Sequence, residues 1–200
     1  MTGSRRHWVH LYEFGIGGEP RADTWELLSD AERARALRVT DPARRGRFIA
    51  RRAALHEILD RYPAGVCFNT SHSGDVAAVA VASGPVGVDI EVERPRRSPD
   101  SVARRMFAPD ERRIVETAGG AMRRRLFHRC WVAKEAYAKA RRRGLGMRFD
   151  EFSVAPALRA HDGTGHVADG WTVSVQTREE THVAVASRGG DREIVEVRRG

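Results

Sequence analysis

The spacing of apolar and polar positions predicts helices in the first third of the chain. Between Trp25 and Tyr62, apolar residues recur at helical spacing, and the outward-facing positions are rich in arginine. Ser29 has a side chain typical of the residue that caps the beginning of a helix, and so does Asp41, which Pro42 follows. We therefore expect one helix to begin after Ser29 and a second after Asp41.

A strand-type alternation replaces the helical one in the next part of the chain. Small and β-branched residues alternate from Asp75 to Ser83 and again from Val86 to Val92. The turn sequence Ser83–Gly84–Pro85 separates the two runs, which together predict a β-hairpin. The preceding polar segment, FNTSHSG from Phe68 to Gly74, predicts a turn whose polar groups either hold a phosphate or bond to one another.

The second half of the chain combines helices with three strands. A loop rich in proline and arginine is expected from Arg94 to Pro99, followed by a helical tract containing Phe107 to Glu111 and a long helix from about Met122 to Arg142. The alternation then predicts three strands, which are Trp171 to Gln176, His182 to Ser187 and Glu193 to Val197. The last third is therefore expected to be mainly strand.

A short internal repeat points to two related halves. The segment VAVAS occurs from Val79 to Ser83 and again from Val183 to Ser187. Alternating valine and alanine are common in strands, so coincidence is an open alternative. A true repeat would imply two half-domains that meet along a cleft. The acidic pair of the first copy, Asp89 and Glu91, is not reproduced in the second, so any metal site would be single.

The chain is strongly basic. It carries 35 lysine and arginine residues against 27 aspartate and glutamate residues, a formal net charge of +8. Such an excess favours a polyanionic partner, which could be nucleic acid, an acidic protein or a phosphorylated cofactor. The arginine runs suit nucleic acid, but no zinc-finger spacing, RNP-like motif or clear helix-turn-helix accompanies them. We therefore expect no nucleic-acid partner and keep nucleic-acid binding as the alternative.

Cysteine and apolar content predict a cytoplasmic protein. The two cysteines, Cys67 and Cys130, belong to no cluster with metal-ligand spacing and suit buried thiols in a reducing compartment. No apolar stretch approaches the length that spans a bilayer, and none follows the basic residues near the N-terminus. One compact unit is expected from the length of 200 residues.

Lysine is almost absent from the basic residues. There are only two lysines, Lys134 and Lys139, and both fall within six residues of each other. Arginine can clamp a phosphate but cannot give up a proton, whereas lysine can do both. A site that needs a compact ammonium or a proton donor would retain lysine, and drift in a sparse residue type is the alternative.

Two pairs of charged residues are candidates for a magnesium site. Asp89 and Glu91 lie two residues apart in a predicted strand, so their carboxylates point to one face, and such oxygen ligands suit Mg²⁺. Glu135 and Lys139 are four residues apart on the long helix and share a face. Each pair also has an ordinary explanation, as a solvated strand face or a surface ion pair. If the helix lies against the strand, Glu135 would complete a magnesium cup with Lys139 at its rim.

Four segments in this order resemble the 4′-phosphopantetheinyl transferase superfamily, specifically its surfactin-synthetase-activating type. They are FNTSHSG, VGVDIE, WVAKEAYAK and GLGMRFDEFSV. The family pattern is G-(V/I)-D, a gap, and W-x-x-K-E-(A/S)-x-x-K, which Gly87–Val88–Asp89 and the segment from Trp131 to Lys139 satisfy. The resemblance implies an α+β fold of two similar half-domains, residues 1–94 and 95–200. Each would be a small, mainly antiparallel sheet with helices, related by a pseudo-twofold axis, with the active site at the interface.

The resemblance also implies an activity. Members of the family move the phosphopantetheine arm of coenzyme A to a serine hydroxyl of an acyl, aryl or peptidyl carrier protein. Asp89, Glu91 and Glu135 are the implied Mg²⁺ ligands, and Glu135 is also the implied general base. Lys139 would contact the phosphate and stabilise the departing nucleotide. An acidic carrier protein suits the basic charge, and a monomer is expected because the site would lie within one chain.

Further residues are implied as contacts to coenzyme A. The full set is Ser71, His72, Asp89, Lys134, Lys139, Arg35, Arg47 and Arg51. Ser71 and His72 resemble the residues that hold the 3′-phosphate, and the three arginines would be phosphate contacts from the N-terminal helices. Glu111, in the segment FAPDE, matches an acidic family position near the metal.

One departure from the family concerns the cofactor. Family members usually carry a Gly-Lys-Pro segment between the arginine-rich helix and the FNTSHSG-like segment, but here Tyr62 is followed almost at once by Val66 and Cys67. Without that lysine, the adenine and the 3′-phosphate would depend on arginines. A relative that binds coenzyme A or a carrier protein without transferring anything is therefore a further alternative.

Overall fold

Eight strands and six α-helices make up the part of the chain that the computed structural model describes, residues 7–93, 99–142, 146–188 and 192–198. The elements of the first half are β1 (His7–Gly15), α1 (Asp30–Leu37), α2 (Pro42–Leu59), β2 (Cys67–Ser73), β3 (Val76–Ala82) and β4 (Val86–Val92). Those of the second half are α3 (Pro99–Met106), α4 (Pro109–Glu116), α5 (Gly120–Ala140), α6 (Ala155–Arg159), β5 (Thr164–Val167), β6 (Trp171–Arg178), β7 (Thr181–Arg188) and β8 (Arg192–Arg198). Within these ranges, no helix has both the length and the apolar character needed to cross a membrane.

Both predicted helix beginnings are confirmed. Ser29 caps α1 by accepting a hydrogen bond from Glu32 N at 3.4 Å, and the Glu32 carboxylate accepts one from Ser29 N at 2.9 Å. Asp41 caps α2 by accepting a hydrogen bond from Arg44 N at 2.7 Å, and Pro42 lies in the first turn. These caps satisfy amide groups that have no partner within the helix.

The strands form two four-stranded sheets, in the orders β2-β3-β1-β8 and β4-β7-β6-β5. Neighbouring strands are antiparallel except β1 and β8, which are parallel. The predicted α+β fold with two sheets is therefore confirmed. The division into residues 1–94 and 95–200 stays a prediction, and the sheets exchange strands across it, because β4 lies in the second sheet and β8 in the first. The loop predicted from Arg94 to Pro99 falls almost entirely outside the described residues.

The predicted hairpin of β3 and β4 is wrong. β3 pairs with β1 and β2, whereas β4 pairs with β7, so that Asp89 lies opposite Ala184. The turn between β3 and β4 carries the chain from one sheet to the other. All of β3 after Val76 is buried, as are the first five residues of β4. Strands buried on both faces show no alternation that could identify their partners.

Strand β2 replaces the turn predicted from Phe68 to Gly74. One edge of β2 pairs with β3, and the other lies beside β4. Side chains of β2 join it to the backbone of β4. Asn69 Oδ1 accepts a hydrogen bond from Val88 N at 3.1 Å, and Ser73 Oγ accepts one from Val92 N at 3.2 Å. The short polar residues that suggested a turn are thus the link between the two sheets.

Helix α5 packs directly on β4 because Gly87 has no side chain. A Cβ at Gly87 would lie 2.1 Å from Ala136 O and 2.4 Å from Ala140 N, and both are backbone atoms of α5. No side chain can occupy that space without moving the helix. The close approach brings the predicted site residues of α5 beside those of β4.

Gly87→Ala is expected to lower the free energy of unfolding by about 1–3 kcal/mol, because the added methyl group must push α5 away from β4. Urea unfolding followed by circular dichroism measures the loss. Gly15→Ala is the matched control, since Gly15 is also a strand residue and a Cβ there would meet no atom within 4 Å. Equal stability of the two variants would contradict the direct contact of α5 with β4.

Candidate active site

A cleft between α1, α2, β2, β4 and α5 gathers most of the predicted site residues. It consists of two adjoining pockets of about 840 and 870 Å³. Both are lined by Arg35, Phe48, Arg51, His72, Glu91 and Trp131. The first is also lined by Ser71, Asp89, Glu135 and Lys139, and the second by Arg47 and His128. Lys134 and Glu111 are the predicted residues that line neither pocket.

Asp89 is only 5% exposed. Its Oδ1 accepts hydrogen bonds from Ser71 Oγ and from Lys139 Nζ, both at 2.7 Å. Its Oδ2 is buried and has no hydrogen-bond partner among the described residues. Burial raises the pKa of Asp89, and the bonds from Lys139 and Ser71 oppose that shift. The carboxylate is thus a buried charge with one oxygen left over for a ligand.

Glu91 and Glu135 bring two more carboxylates to the cleft. Ser73 Oγ donates a hydrogen bond to Glu91 Oε2 at 2.6 Å. Glu135 forms no hydrogen bond or ion pair with another described residue. Burial raises the pKa of Glu135, the negative charges of Asp89 and Glu91 raise it further, and the Lys139 ammonium opposes them. The geometry thus supplies an acidic group in α5 that is held close to the acidic pair of β4.

Lys139 points its ammonium at the acidic residues. Its Nζ donates hydrogen bonds to Asp89 Oδ1 at 2.7 Å, Ser71 Oγ at 3.0 Å and Val88 O at 3.1 Å. The single hydroxyl proton of Ser71 goes to Asp89, so Ser71 orients that carboxylate. Ser71 also lines the cleft, and its predicted contact with a phosphate stays a prediction.

The donor set suits Mg²⁺, although the side chains do not yet surround a common point. Carboxylate oxygens are the ligands that this ion prefers, and Asp89 Oδ2 is buried without a partner. Within the described ranges, no three acidic, histidine or cysteine side chains are already arranged to hold a metal ion. In this arrangement, Asp89 bonds to Lys139 and Glu91 bonds to Ser73. Local rotation of these side chains would be needed for all three carboxylates to bind one ion.

The part of the cleft formed by α1 and α2 carries positive charge. The guanidinium carbons of Arg35 and Arg51 lie over the Phe48 ring, 5.5 and 5.9 Å from its centroid. Neither arginine forms an ion pair with a described carboxylate. Burial lowers the pKa of Arg51, and neighbouring arginines add to the effect. Arg47 differs, because it pairs with Asp75 at 3.1 Å. Arg35 and Arg51 therefore have charge that an anionic ligand could neutralise.

His72 lies near both the arginines and the carboxylates. Partial burial lowers its pKa, the charges of Arg51 and Lys139 lower it further, and Glu91 opposes them. The ring is therefore neutral at pH 7 and can donate one N–H to an anion. This position agrees with the predicted phosphate contact, which stays a prediction.

Known proteins match the part of the chain that holds these carboxylates. A family model described as the 4′-phosphopantetheinyl transferase superfamily matches residues 85–187. The 4′-phosphopantetheinyl transferase HetI of Nostoc sp. is 31% identical, over 74% of this chain and 73% of HetI. The chain belongs to the 4′-phosphopantetheinyl transferase superfamily. The family that the four sequence segments predicted is confirmed.

Other relatives of this superfamily member cover shorter stretches. A putative 4′-phosphopantetheinyl transferase of Synechocystis sp. is 31% identical over 60% of this chain, which is 58% of the relative. The 4′-phosphopantetheinyl transferase Sfp of Bacillus subtilis strain 168 is 33% identical over 44% of this chain, which is 38% of Sfp. The chain thus matches less than two thirds of the length of these two relatives.

The structure corrects the expected positions of Lys134 and Glu111, the two predicted residues of the transferase fold that lie outside the cleft. Both side chains are completely buried. Lys134 Nζ donates hydrogen bonds to Glu111 Oε1 at 2.8 Å and Phe152 O at 2.7 Å, and it lies 4.1 Å from the centroid of the Phe152 ring. The Glu111 carboxylate also accepts from Ala108 N at 2.7 Å and Val154 N at 2.6 Å. The pair therefore ties α4, α5 and the segment before α6 together, and neither residue is free to hold a cofactor or a metal ion.

Lys134→Met is expected to lower the free energy of unfolding by about 3 kcal/mol or more, because it leaves Glu111 buried without its cation. The double variant Lys134→Met with Glu111→Leu should recover part of the loss, since no unpaired buried charge remains. Urea unfolding measures both. Arg148→Met removes an exposed cation that pairs with Asp150, and it should change stability by less than about 1 kcal/mol. A single variant as stable as the wild type would contradict the buried ion pair.

Proposed function

We propose that this chain transfers 4′-phosphopantetheine from coenzyme A to a serine of a carrier protein and releases adenosine 3′,5′-bisphosphate. The observation that carries the proposal is the meeting of Asp89 and Glu91 of β4 with Glu135 and Lys139 of α5 in one cleft. Membership of the superfamily supports it, and so do Arg35 and Arg51, which line the cleft and form no ion pair with a described carboxylate. A diphosphate donor and a basic surface for an acidic carrier protein both suit this distribution of charge.

The acidic side chains would hold Mg²⁺ through Asp89, Glu91 and Glu135. When bound, the ion would neutralise charge on the diphosphate of coenzyme A. Ser71 and Ser73 orient Asp89 and Glu91 through the hydrogen bonds that they donate. These serines would therefore keep the two carboxylates beside the cleft, where a local rotation would bring them to one ion.

Glu135 and Lys139 would handle the proton and the leaving group. The serine oxygen of the carrier protein forms a bond to the phosphorus of the phosphopantetheine group, and the serine proton passes to Glu135, directly or through water. The bond from that phosphorus to the bridging oxygen breaks, and its electron pair leaves with adenosine 3′,5′-bisphosphate. Lys139 donates hydrogen bonds to the phosphate that departs.

The arginines and His72 would hold the 3′-phosphate of coenzyme A. Arg35, Arg51 and His72 line both pockets, and the two arginines have no carboxylate partner among the described residues. They would take the place of the lysine in the Gly-Lys-Pro segment that this chain lacks. Arg47 lies in the same region but is engaged with Asp75, so its contribution would require exchange of that partner.

Transfer is tested by mass spectrometry of a purified carrier protein. An apo-carrier protein incubated with this chain, coenzyme A and Mg²⁺ should gain the mass of one phosphopantetheine group. Reactions without the chain, or with a chelator of divalent metals, are the controls. Binding of coenzyme A without any mass gain across a panel of carrier proteins would instead indicate an inactive relative. Salt-dependent binding of arbitrary DNA with no carrier modification would favour the nucleic-acid alternative. The cytoplasmic location and the monomeric state stay predictions.

Arg51→Gln is expected to raise the KM for coenzyme A by about tenfold, because it removes a charged hydrogen-bond donor from the 3′-phosphate. The KM for 3′-dephospho-coenzyme A should hardly change, since that donor lacks the phosphate. Arg61→Gln is the matched control, because Arg61 is an exposed arginine outside the two pockets of the cleft. Equal effects of Arg51→Gln on the two donors would place the 3′-phosphate elsewhere.

A further inference from the structure

All three N–H groups of the Lys139 ammonium are engaged inside the protein. They point at Asp89 Oδ1, Ser71 Oγ and the backbone oxygen of Val88, at 2.7, 3.0 and 3.1 Å. An ammonium has three donors, so this arrangement leaves none for a ligand. A ligand phosphate can bind Lys139 only when at least one of these bonds is given up.

Asp89 depends on this ammonium. The carboxylate is 5% exposed, and Lys139 is its one ion-pair partner among the described residues. A buried carboxylate without a cation is strongly destabilising. The Lys139 side chain is 27% exposed and the Asp89 side chain 7%, so the lysine has more room to move toward the cleft than the carboxylate has.

We propose that Lys139 is the resident counter-cation of Asp89 in the ligand-free protein and competes with a divalent metal ion for that carboxylate. A diphosphate ligand that draws the ammonium away from Asp89 would then open the carboxylate to the ion. The inference rests on the proposed function, which makes Asp89 a metal ligand and the diphosphate part of coenzyme A. It adds a role for Lys139 before any chemistry begins.

Repulsion between two cations at one carboxylate has a measurable consequence. A divalent ion that approaches Asp89 while Lys139 is still bonded there meets a positive charge within a few ångströms, in a poorly solvated place. The ion should therefore bind weakly to the ligand-free protein. By linkage, the diphosphate and the ion should strengthen each other's binding by the same factor. Part of that increase in affinity should come from the displacement of Lys139 from Asp89.

The test measures Mn²⁺ binding by calorimetry, with and without saturating coenzyme A and without any carrier protein. Without coenzyme A, Lys139→Met and Lys139→Gln should each bind Mn²⁺ about tenfold more tightly than the wild type, because they remove the competing charge. The factor by which coenzyme A strengthens Mn²⁺ binding should be smaller in both variants. Arg141→Met is the matched control, since Arg141 is a cation two residues away that pairs with Asp169 and lines neither pocket of the cleft.

The outcomes separate this inference from the proposed function. Unchanged Mn²⁺ affinity in the ligand-free Lys139 variants, with normal binding by the wild type in the presence of coenzyme A, would overturn the inference alone. No Mn²⁺ binding by the wild type even with coenzyme A would remove the metal site and the inference together. The glutamine variant keeps a hydrogen-bond donor for Asp89, so it serves as the test if Lys139→Met unfolds. Thermal unfolding establishes that each titrated variant is folded.

Discussion

Asp89→Asn is expected to lower the rate of phosphopantetheine transfer by about a thousandfold or more. The variant keeps the shape of the side chain but removes the negative charge, and with it a proposed metal ligand and the ion-pair partner of Lys139. Ser71 would lose the charged acceptor of its hydroxyl proton. The measurement is the initial rate of holo-carrier formation at saturating coenzyme A and Mg²⁺.

The control for this variant must lose the same charge elsewhere. Asp169→Asn does so, because Asp169 is an exposed residue that pairs with Arg141 outside both pockets of the cleft. Its transfer rate should stay within about twofold of the wild type. A rate for Asp89→Asn close to that of the control, with both proteins folded, would remove Asp89 from the site.

Glu135→Gln is expected to slow transfer severely without any loss of stability. Glutamine cannot accept the serine proton, and it is a poorer ligand for Mg²⁺, so a loss of about a thousandfold in kcat is expected. Glu135 has no hydrogen bond or ion pair to lose within the described chain. Removal of its charge also ends the cost of burying it and its repulsion from Asp89 and Glu91, which together raise its pKa and outweigh the attraction to Lys139.

Two measurements on the same protein check this expectation. Single-turnover transfer rates report the chemistry, and urea unfolding reports the stability, which should equal or exceed that of the wild type. Glu116→Gln, at the exposed end of α4, is the matched control and should change neither quantity measurably. Substantial turnover by Glu135→Gln would exclude the proposed base, and a large loss of stability would show that its carboxylate has a structural partner.

Local chemistry in the sequence predicted the beginnings of the helices and the grouping of the site. The caps at Ser29 and Asp41 depend only on residues within one turn, so a short segment contains the whole signal. The same holds for the shared face of Asp89 and Glu91 and for the shared face of Glu135 and Lys139. That these two faces meet depended on the family resemblance, because no local signal states which strand a helix packs on.

The pairing of strands could not be predicted in this way. β3 and β4 follow each other closely in the chain and resemble a hairpin, yet they join different sheets. Burial on both faces removes the alternation that would have separated the alternatives. β2 was missed because its polar side chains serve the neighbouring strand β4, and in the sequence they are indistinguishable from turn residues.

The rarity of lysine predicted a site role for both lysines, and the structure places only one of them, Lys139, in the cleft. Residues five apart on a helix differ by about 140° in direction, so Lys134 and Lys139 cannot share a face. This difference in direction follows from the sequence alone, and it would have predicted that Lys134 lies on the side of α5 away from the cleft. There Lys134 donates a hydrogen bond to Glu111.

The hydrogen bonds between β2 and β4 allow NMR to detect whether a ligand occupies the cleft. Ser73 Oγ accepts a hydrogen bond from Val92 N and donates one to Glu91. One hydroxyl therefore links a backbone amide of β4 to a proposed metal-binding carboxylate. Reorientation of Glu91 would disturb that hydroxyl and shift the Val92 amide resonance, although the amide touches no ligand. This shift of the Val92 resonance would detect ligand binding even in a variant that has no transferase activity.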